Sequence, residues 1–265
     1  MNEIKLIDWL QRQSGTKGIG DDCFIYSGLV FTTDMMVEGV HFEQTDQPEA
    51  IGYKTLARGL SDIAAMGATP RFCLLSIAVP AWVDDAWLKR FYKGLLALGV
   101  PLTGGDISHA QQLVCDITVC GAVPEGKALR RDGAKPGDHI YVSGELGANA
   151  RDGFKNRIEP RLALGRKLIG KATACMDLSD GLSLDLHRLC LASGVAADIN
   201  DIPVSSGATL EQALHGGEDY ELLFTSKTAL RLAGIRRIGT IRKGRPGAMK
   251  LDGKPLKPAG YDHFQ

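Results

Sequence analysis

The chain predicts a mixed α/β (α+β) fold in two domains. Three observations carry that expectation. Helix-like and strand-like periods interleave from end to end, the 265 residues exceed the usual size of one compact domain, and a turn-rich stretch, PEGKALRRDGAKPGD, interrupts the pattern near the middle. The expected division is an N-terminal domain over residues 1–125 and a C-terminal domain over residues 126–265.

Residues 1–12 read as a short amphipathic helix, followed by the loop SGTKGIGDD. CFIYSG and LVFTTDMM then form a hairpin, with Gly28 at the turn and aromatic or β-branched residues in the strands. From Pro48 onward EAIGYKTLARGLSDIAAMG is helical, because Leu56, Leu60, Ile63 and Met66 recur at three- and four-residue spacing and Gly67 suits the C-terminal cap. RFCLLSIAVP is a strand, and DDAWLKRFYKGLLALG is a second amphipathic helix whose opening acids suit the positive end of its dipole. LVCDITVCGAV is again a strand. Beyond the boundary, HIYVSG is extended, RLALGRKLIG is helical, and ATACMDLSDGL is a strand running into the helix LSLDLHRLCLASG. A helix at EQALHGG and a strand at YELLFTS follow, and the tail KPLKPAGYDHF is irregular. There is no GxGxxG of a dinucleotide fold and no internal repeat.

Basic and acidic residues balance at 31 each, so nothing advertises nucleic acid or an anionic membrane as a partner. The longest apolar runs, such as CLLSIAVP, fall well short of the ~18 residues of a membrane-spanning helix. The opening MNEIKLIDWLQ carries acids rather than the basic patch and apolar core of an export signal, which predicts a cytoplasmic protein. Six cysteines sit among apolar neighbours with no CxxC pair, and the six histidines form no HExxH or similar group, so zinc chemistry is not expected.

The aspartates are more informative. Asp21 and Asp22 stand together in KGIGDDCFI, with no lysine or arginine in the dozen residues that follow. Asp34 follows FTT, Asp62 follows LS, Asp106 follows TGG, and Asp177 and Asp180 lie within MDLSDGL. Each sits near the end of an apolar element beside glycine, serine or threonine. Taken singly, each has an ordinary structural explanation: Asp62 could pair with Arg58 one helical turn earlier, Asp180 or Ser179 could cap the following helix, and Asp106 could occupy a turn. Together they suggest convergence. Unit charges ~4 Å apart repel by about 4 kcal/mol at an effective dielectric near 20, so converging carboxylates require a cation. Oxygen ligands without cysteine or histidine suit magnesium, which commonly bridges protein acids to substrate phosphates. The GxxxxGK[ST] loop and the HRD and DFG sets of familiar kinases are missing. A carboxylate cluster loaded with metal ions is another way to neutralise a triphosphate, and Arg131 in LRRDGAKPGD could add a guanidinium.

The stretches GIGDDC, TTDMMVEGVHF, GYKTLARGLSDIAAMGA, TGGD, ALRRDGAKPGDHIYVSG, MDLSDGL, GGEDYEL and GYDHF, in this order over nearly the whole chain, closely resemble the thiamine-monophosphate kinases, a branch of the superfamily typified by aminoimidazole ribonucleotide synthetase. The resemblance implies that superfamily's two-domain architecture and an ATP-dependent transfer of a phosphoryl group to thiamine monophosphate, giving thiamine diphosphate and ADP as the last step of thiamine diphosphate biosynthesis. It also implies a homodimer whose N-terminal halves pair across a shared sheet, with the active site in a cleft between the domains. Carried over by position, the magnesium ligands would be Asp22, Asp34 with Thr32 or Thr33 near it, Asp62, Asp106, Asp177 and Asp180. ATP would meet Gly105 and Asp106, Arg131 and Ser179, and the thiamine side would be read by His41, Glu218 and Tyr261. No protein general base is expected, because the second pKa of a phosphate monoester lies near ~6 and the attacking oxygen is already largely ionised at neutral pH.

The chain also departs from the family pattern. It is shorter between HIYVSGELG and MDLSDGL and again before GGEDYEL, which trims the walls of the thiamine pocket. Arg58 and Gly59 precede LSD where members commonly carry a small apolar residue and asparagine, and Ile107 follows GGD where threonine is usual. The alternatives are another ATP-using enzyme of the superfamily, acting on an amide or a selenide, and a non-catalytic nucleotide-binding relative.

Overall fold

The structure, a computed structural model, describes residues 3–16 and 18–261. The last three residues of the GYDHF stretch lie outside the described residues. In chain order the elements are α1 (Glu3–Gln11), β1 (Phe24–Tyr26), β2 (Leu29–Val37), α2 (Pro48–Ala65), β3 (Thr69–Val79), α3 (Asp85–Leu96), β4 (Leu102–His109) and β5 (Val114–Ala122). They continue with β6 (His139–Val142), α4 (Ala148–Arg151), α5 (Leu162–Leu168), β7 (Ala174–Asp177), α6 (Leu182–Ser193), β8 (Ala196–Ile199), α7 (Leu210–His215), β9 (Leu222–Ser226), β10 (Arg236–Arg242), β11 (Met249–Leu251) and β12 (Lys254–Leu256).

The strands form two sheets, one of five strands in the order β1-β2-β5-β3-β4 and one of seven in the order β12-β11-β8-β10-β6-β9-β7. The first is antiparallel except for β3 and β4, which run parallel through the crossover helix α3. Period-two alternation gives this sheet two unlike faces. Cys73, Leu75 and Ile77 of β3 and Cys115, Ile117 and Val119 of β5 are buried with Leu56, Leu60 and Ile63 of α2 in one core. On the opposite face Met35 and Leu74 are 53% and 38% exposed, an outward apolar surface. In the second sheet Ile140, Val142, Met176 and Ile238 pack against Leu182, Leu186 and Leu189 of α6.

Helix α2 joins the two halves. Its four expected core residues, Leu56, Leu60, Ile63 and Met66, are all buried, and Ala64 and Ala65 pack instead with Leu168, Cys175 and Phe224 of the second half. The close crossing needs Gly165 on α5, where a Cβ would stand 2.0 Å from the Ala64 carbonyl oxygen. The Asp84 carboxylate caps α3 by accepting from the Trp87 amide at 2.7 Å.

The sequence pattern left β4, β8, β10 and β11 unassigned and read the tail containing β12 as irregular. The tail strand Lys254–Leu256 hydrogen-bonds only to β11, as an edge strand three residues long, and LTGGDISH of β4 lacks alternation because that strand is exposed along nearly its whole length. A half-buried strand writes its period into the sequence; an exposed edge does not.

Candidate functional site

One carboxylate oxygen from each of Asp22, Asp62 and Asp177 falls within 4.8 Å of the others. The three come from the loop before β1, the inner face of α2 and the last residue of β7. Each is positioned by a neighbour. Thr32 of β2 donates its hydroxyl to Asp62, Ser61 donates to Asp177 at 2.7 Å, and the Arg131 guanidinium donates to Asp22. Asp34, two residues beyond Thr32 on the same face of β2, faces Arg58, whose Nη2 lies 3.6 Å from Asp34 Oδ1.

This cluster is short of positive charge. Burial pushes the Asp62 carboxyl well above the usual range, and Asp34, Asp177 and Asp22 push it further; burial and then Asp22 do the same to Asp177. Burial raises Asp34 as well, against the pull of Arg58. Asp22 Oδ2 and Asp34 Oδ2 are buried without a hydrogen-bond partner. Unpaired buried oxygens on an all-oxygen donor set are what a hard divalent cation such as magnesium would satisfy.

A cavity of about 250 Å³ is lined by Asp34, Asp62 and Asp177 together with His41, Glu218, Tyr220 and Tyr261. Here the charges are matched. Lys54 of α2 donates to Glu218 at 2.7 Å and to the carbonyl oxygens of His41 at 3.1 Å and Phe154 at 3.2 Å. Glu218 and Tyr220 hold left-handed backbone, with φ of 54° and 50°. Their amides are fixed by the carbonyls of Ser179 at 2.7 Å and Leu178 at 2.8 Å, the over-determined anchoring that lets non-glycine residues stay in that region. His41 Nδ1 accepts from the Val37 amide at 3.1 Å, so the neutral ring carries its proton on Nε2. Ser179 and Asp180 also line the cavity, with Asp180 held by Arg188 and the Tyr261 amide bonded to the Asp180 carbonyl at 3.2 Å. A second cavity of about 450 Å³ shares His41 and Phe154 with the first.

The structure therefore brings together Asp22, Thr32, Asp34, Asp62, Asp177 and Asp180, with Arg131, Ser179, His41, Glu218 and Tyr261 around them. It places Thr33 and Asp106 elsewhere, and strand alternation is the reason. Asp106 lies opposite Ser76, Ser76 opposite Asp116, and Asp116 opposite Met35, all on the outer face of the first sheet. Asp34 lies opposite the buried Ile117 on the inner face. Thr33 likewise turns outward and donates to Asp116 at 2.5 Å. Gly105 is a strand residue rather than part of a turn, with φ of 150°, and a Cβ there would stand 1.7 Å from the Leu75 carbonyl oxygen, so only glycine fits. Two further expectations change. Arg58 pairs with Asp34 rather than Asp62, and the N-cap of α6 is Gly181, with no side-chain cap from Ser179 or Asp180.

Residues 20–123 match the family model for the N-terminal domain of AIR synthase related proteins. A protein named thiamine-monophosphate kinase from Salmonella typhimurium is 36% identical over 306 aligned positions, covering 93% of this chain and 91% of the relative. Its namesake from Bacillus subtilis is also 36% identical, covering 94% and 93%. A solved structure of AaThiL complexed with AMPPCP and TMP superposes with a TM-score of 0.90 at 31% identity, covering 99% of this chain and 97% of that one. This chain belongs to the thiamine-monophosphate kinase family. Lys54, which pairs with Glu218 at the edge of this family member's cavity, escaped the sequence reading, and Arg58, which lines it, was read as a partner of Asp62 and not as a site residue. A signal for them was present: Lys54, Arg58 and Asp62 recur every four residues and so share one face of α2.

Proposed function

We propose that this kinase-family chain transfers the γ-phosphoryl group of ATP to thiamine monophosphate, producing thiamine diphosphate and ADP. The observation that carries the reading is the meeting of Asp22, Asp62 and Asp177 at a cavity that Glu218, Tyr220 and Tyr261 also line. An anionic nucleophile must be brought against an anionic triphosphate, which is a problem of charge and position rather than of proton transfer. Magnesium held on Asp22, Asp62 and Asp177, with Asp34 and Asp180 at the cavity wall, would neutralise the phosphates and polarise the transferred group.

The chain's own residues divide the remaining work. Arg131 and Ser179 are assigned to ATP. Glu218 and Tyr261 are assigned to the cationic thiazolium, which a carboxylate and an aromatic face suit, and His41 is assigned to the same acceptor. No side chain acts as general base, and transfer is direct, without a phosphoenzyme. Gly105 and Asp106, carried by the exposed edge strand of the first sheet, are assigned to nucleotide only where a second chain covers the outer face. The exposed Met35 and Leu74 on that face support a homodimer built across it. Residues 1–125 and 126–265 are proposed as the two domains, consistent with one sheet in each. The cytoplasm is the proposed compartment: the six cysteines are free and buried. No helix among the described residues is long and apolar enough to cross a membrane.

Incubation with ATP, magnesium and thiamine monophosphate, followed by chromatography, should yield thiamine diphosphate, and a chelator should stop it. ATP binding without diphosphate formation would overturn the reading in favour of a non-catalytic relative. Recovery of label on the protein from γ-labelled ATP would overturn direct transfer.

A further inference from the structure

Among the described residues the cavity over the aspartate cluster is lined by five carboxylates, Asp34, Asp62, Asp177, Asp180 and Glu218, and by one cation, Arg58, while Lys54 pairs with Glu218 from outside the lining. That arginine is held but under-used. A guanidinium carries five N–H donors. Arg58 Nη1 donates to the Met35 carbonyl at 3.2 Å, and Nε is enclosed without a partner, while Nη2 stands 3.6 Å from Asp34 Oδ1, beyond hydrogen-bond range, and is the donor left for a ligand. The side chain is only 12% exposed, so its fork is fixed on the cavity wall rather than swept through solvent.

Charge balance for Asp34 does not explain this arrangement. An arginine serving only that carboxylate would close on it in a short two-pronged contact, whereas here the fork is anchored to a backbone carbonyl and stands off the acid. A cation on Asp34 would release the guanidinium further. What fits such a fork in a cavity of carboxylates is a phosphate monoester, which carries close to two negative charges at neutral pH and several acceptor oxygens.

We infer that Arg58 binds the phosphate of the acceptor, holding thiamine monophosphate by its reacting end and discriminating it from unphosphorylated thiamine. The inference rests on the phosphotransfer reading above.

The test compares wild type with Arg58→Met, which keeps length without charge, and Arg58→Lys, which restores a point charge. Steady-state kinetics would give KM for thiamine monophosphate and for ATP. Calorimetry with magnesium and a non-hydrolysable ATP analogue would give the affinities for thiamine monophosphate and for thiamine. Loss of charge-assisted hydrogen bonds should raise KM for thiamine monophosphate by about 10- to 100-fold in Arg58→Met. The preference for the phosphorylated ligand should fall by the same factor, with thiamine affinity and KM for ATP unchanged. Arg58→Lys should recover part of the loss. If wild type forms thiamine diphosphate while Arg58→Met keeps its KM for the acceptor, the inference is overturned. Parallel loss of thiamine and thiamine monophosphate binding would also overturn it, since that marks a structural role through the Met35 carbonyl. If wild type forms no thiamine diphosphate, the phosphotransfer reading fails first and takes this inference with it.

Discussion

The two walls of the cavity solve opposite problems with the same kinds of residue. On one side Asp22, Asp62 and Asp177 converge from three remote segments, and among the described residues Arg131 is the one cation that hydrogen-bonds to any of them, the other contacts being the hydroxyls of Thr32 and Ser61. On the other, Glu218 is met by Lys54 at 2.7 Å, and both side chains are largely shielded, at 18% and 12% exposed. The second wall is complete within the protein. The first is complete only when something positive is added: burial, and then the neighbouring aspartates, hold the carboxyls of Asp62 and Asp177 above their usual range. A binding wall can be pre-balanced, whereas a wall that must stabilise charge on a transferring phosphoryl group is left open for the ions that arrive with it.

The strongest way to break this contrast is Asp62→Asn. Losing one carboxylate from a metal site should cost on the order of 10³-fold in kcat/KM, corresponding to several kcal/mol of lost stabilisation of the transition state. The same change removes a repelling buried charge, so the metal-free protein should melt higher than wild type and respond less to magnesium. An Asp62→Asn variant that stays active, or that melts lower without metal, would mean that the acids are balanced by the protein after all.

Lys54→Met tests the other wall. It leaves Glu218 without its cation and frees the His41 and Phe154 carbonyls. Removing one partner of a largely buried pair is costly because the other charge is stranded, and solvent at this wall moderates the loss. The expected outcome is a rise of about 10- to 100-fold in KM for thiamine monophosphate with little change in KM for ATP. Equal effects on both substrates would show that Lys54 supports the fold rather than the acceptor side.

These walls were not equally legible in the sequence. The open wall announced itself, because Asp34, Asp62 and Asp177 each interrupt or end an apolar period beside serine, threonine or another apolar residue, and such positions deliver a carboxylate to a core. The balanced wall was named only by resemblance, through His41, Glu218 and Tyr261, and its ion pair was missed: Lys54 and Glu218 are 164 residues apart, and no local period links them. Arg58 misled for a related reason. Spacing of four along a helix favours a pair with Asp62, yet Thr32 from another strand takes that carboxylate and Asp34 draws the arginine away. Helix α2 was readable because its buried stripe repeats; the exposed β4 has no stripe, and its TGGD looked like a turn. Which face of a sheet Asp106 occupies depends on register with β3, which is a tertiary fact.

Chelation should sharpen the comparison through stability alone. Asp62 and Asp177 have folded-state pKa values above their unfolded ones. Without metal the folded state therefore holds protons that the unfolded chain releases, and stability falls as pH rises from the usual carboxylate value near ~4 through the raised values. Magnesium at about 100 times its dissociation constant adds roughly 2.7 kcal/mol, or about 5–10 °C in Tm for a chain of this size. The gap between magnesium and chelator melts should widen from pH 5 to pH 8. A gap independent of pH would indicate that the cluster is already neutralised.

The smallest effect is expected at Asp21. Its neighbour Asp22 gives one oxygen to Arg131 and keeps Oδ2 buried without a partner, available to a cation. Asp21 instead accepts the backbone amides of Arg131 and Asp22, each at 3.2 Å, and faces the half-exposed Arg130 at 3.6 Å. It holds the loop while Asp22 serves the cluster. Burial and then Asp22 push its carboxyl up to about 6, against Arg131 and Arg130. Asp21→Asn keeps an acceptor oxygen for both amides and loses mainly the contact with Arg130, a partly solvated pair worth less than ~1 kcal/mol. Activity at pH 8 should therefore fall by less than about tenfold, against a much larger loss for Asp22→Asn. Below about pH 6 the Asp21→Asn deficit should shrink further, because wild-type Asp21 is itself protonated there. A greater loss for Asp21→Asn than for Asp22→Asn would exchange the two roles and move the open wall one residue along the loop.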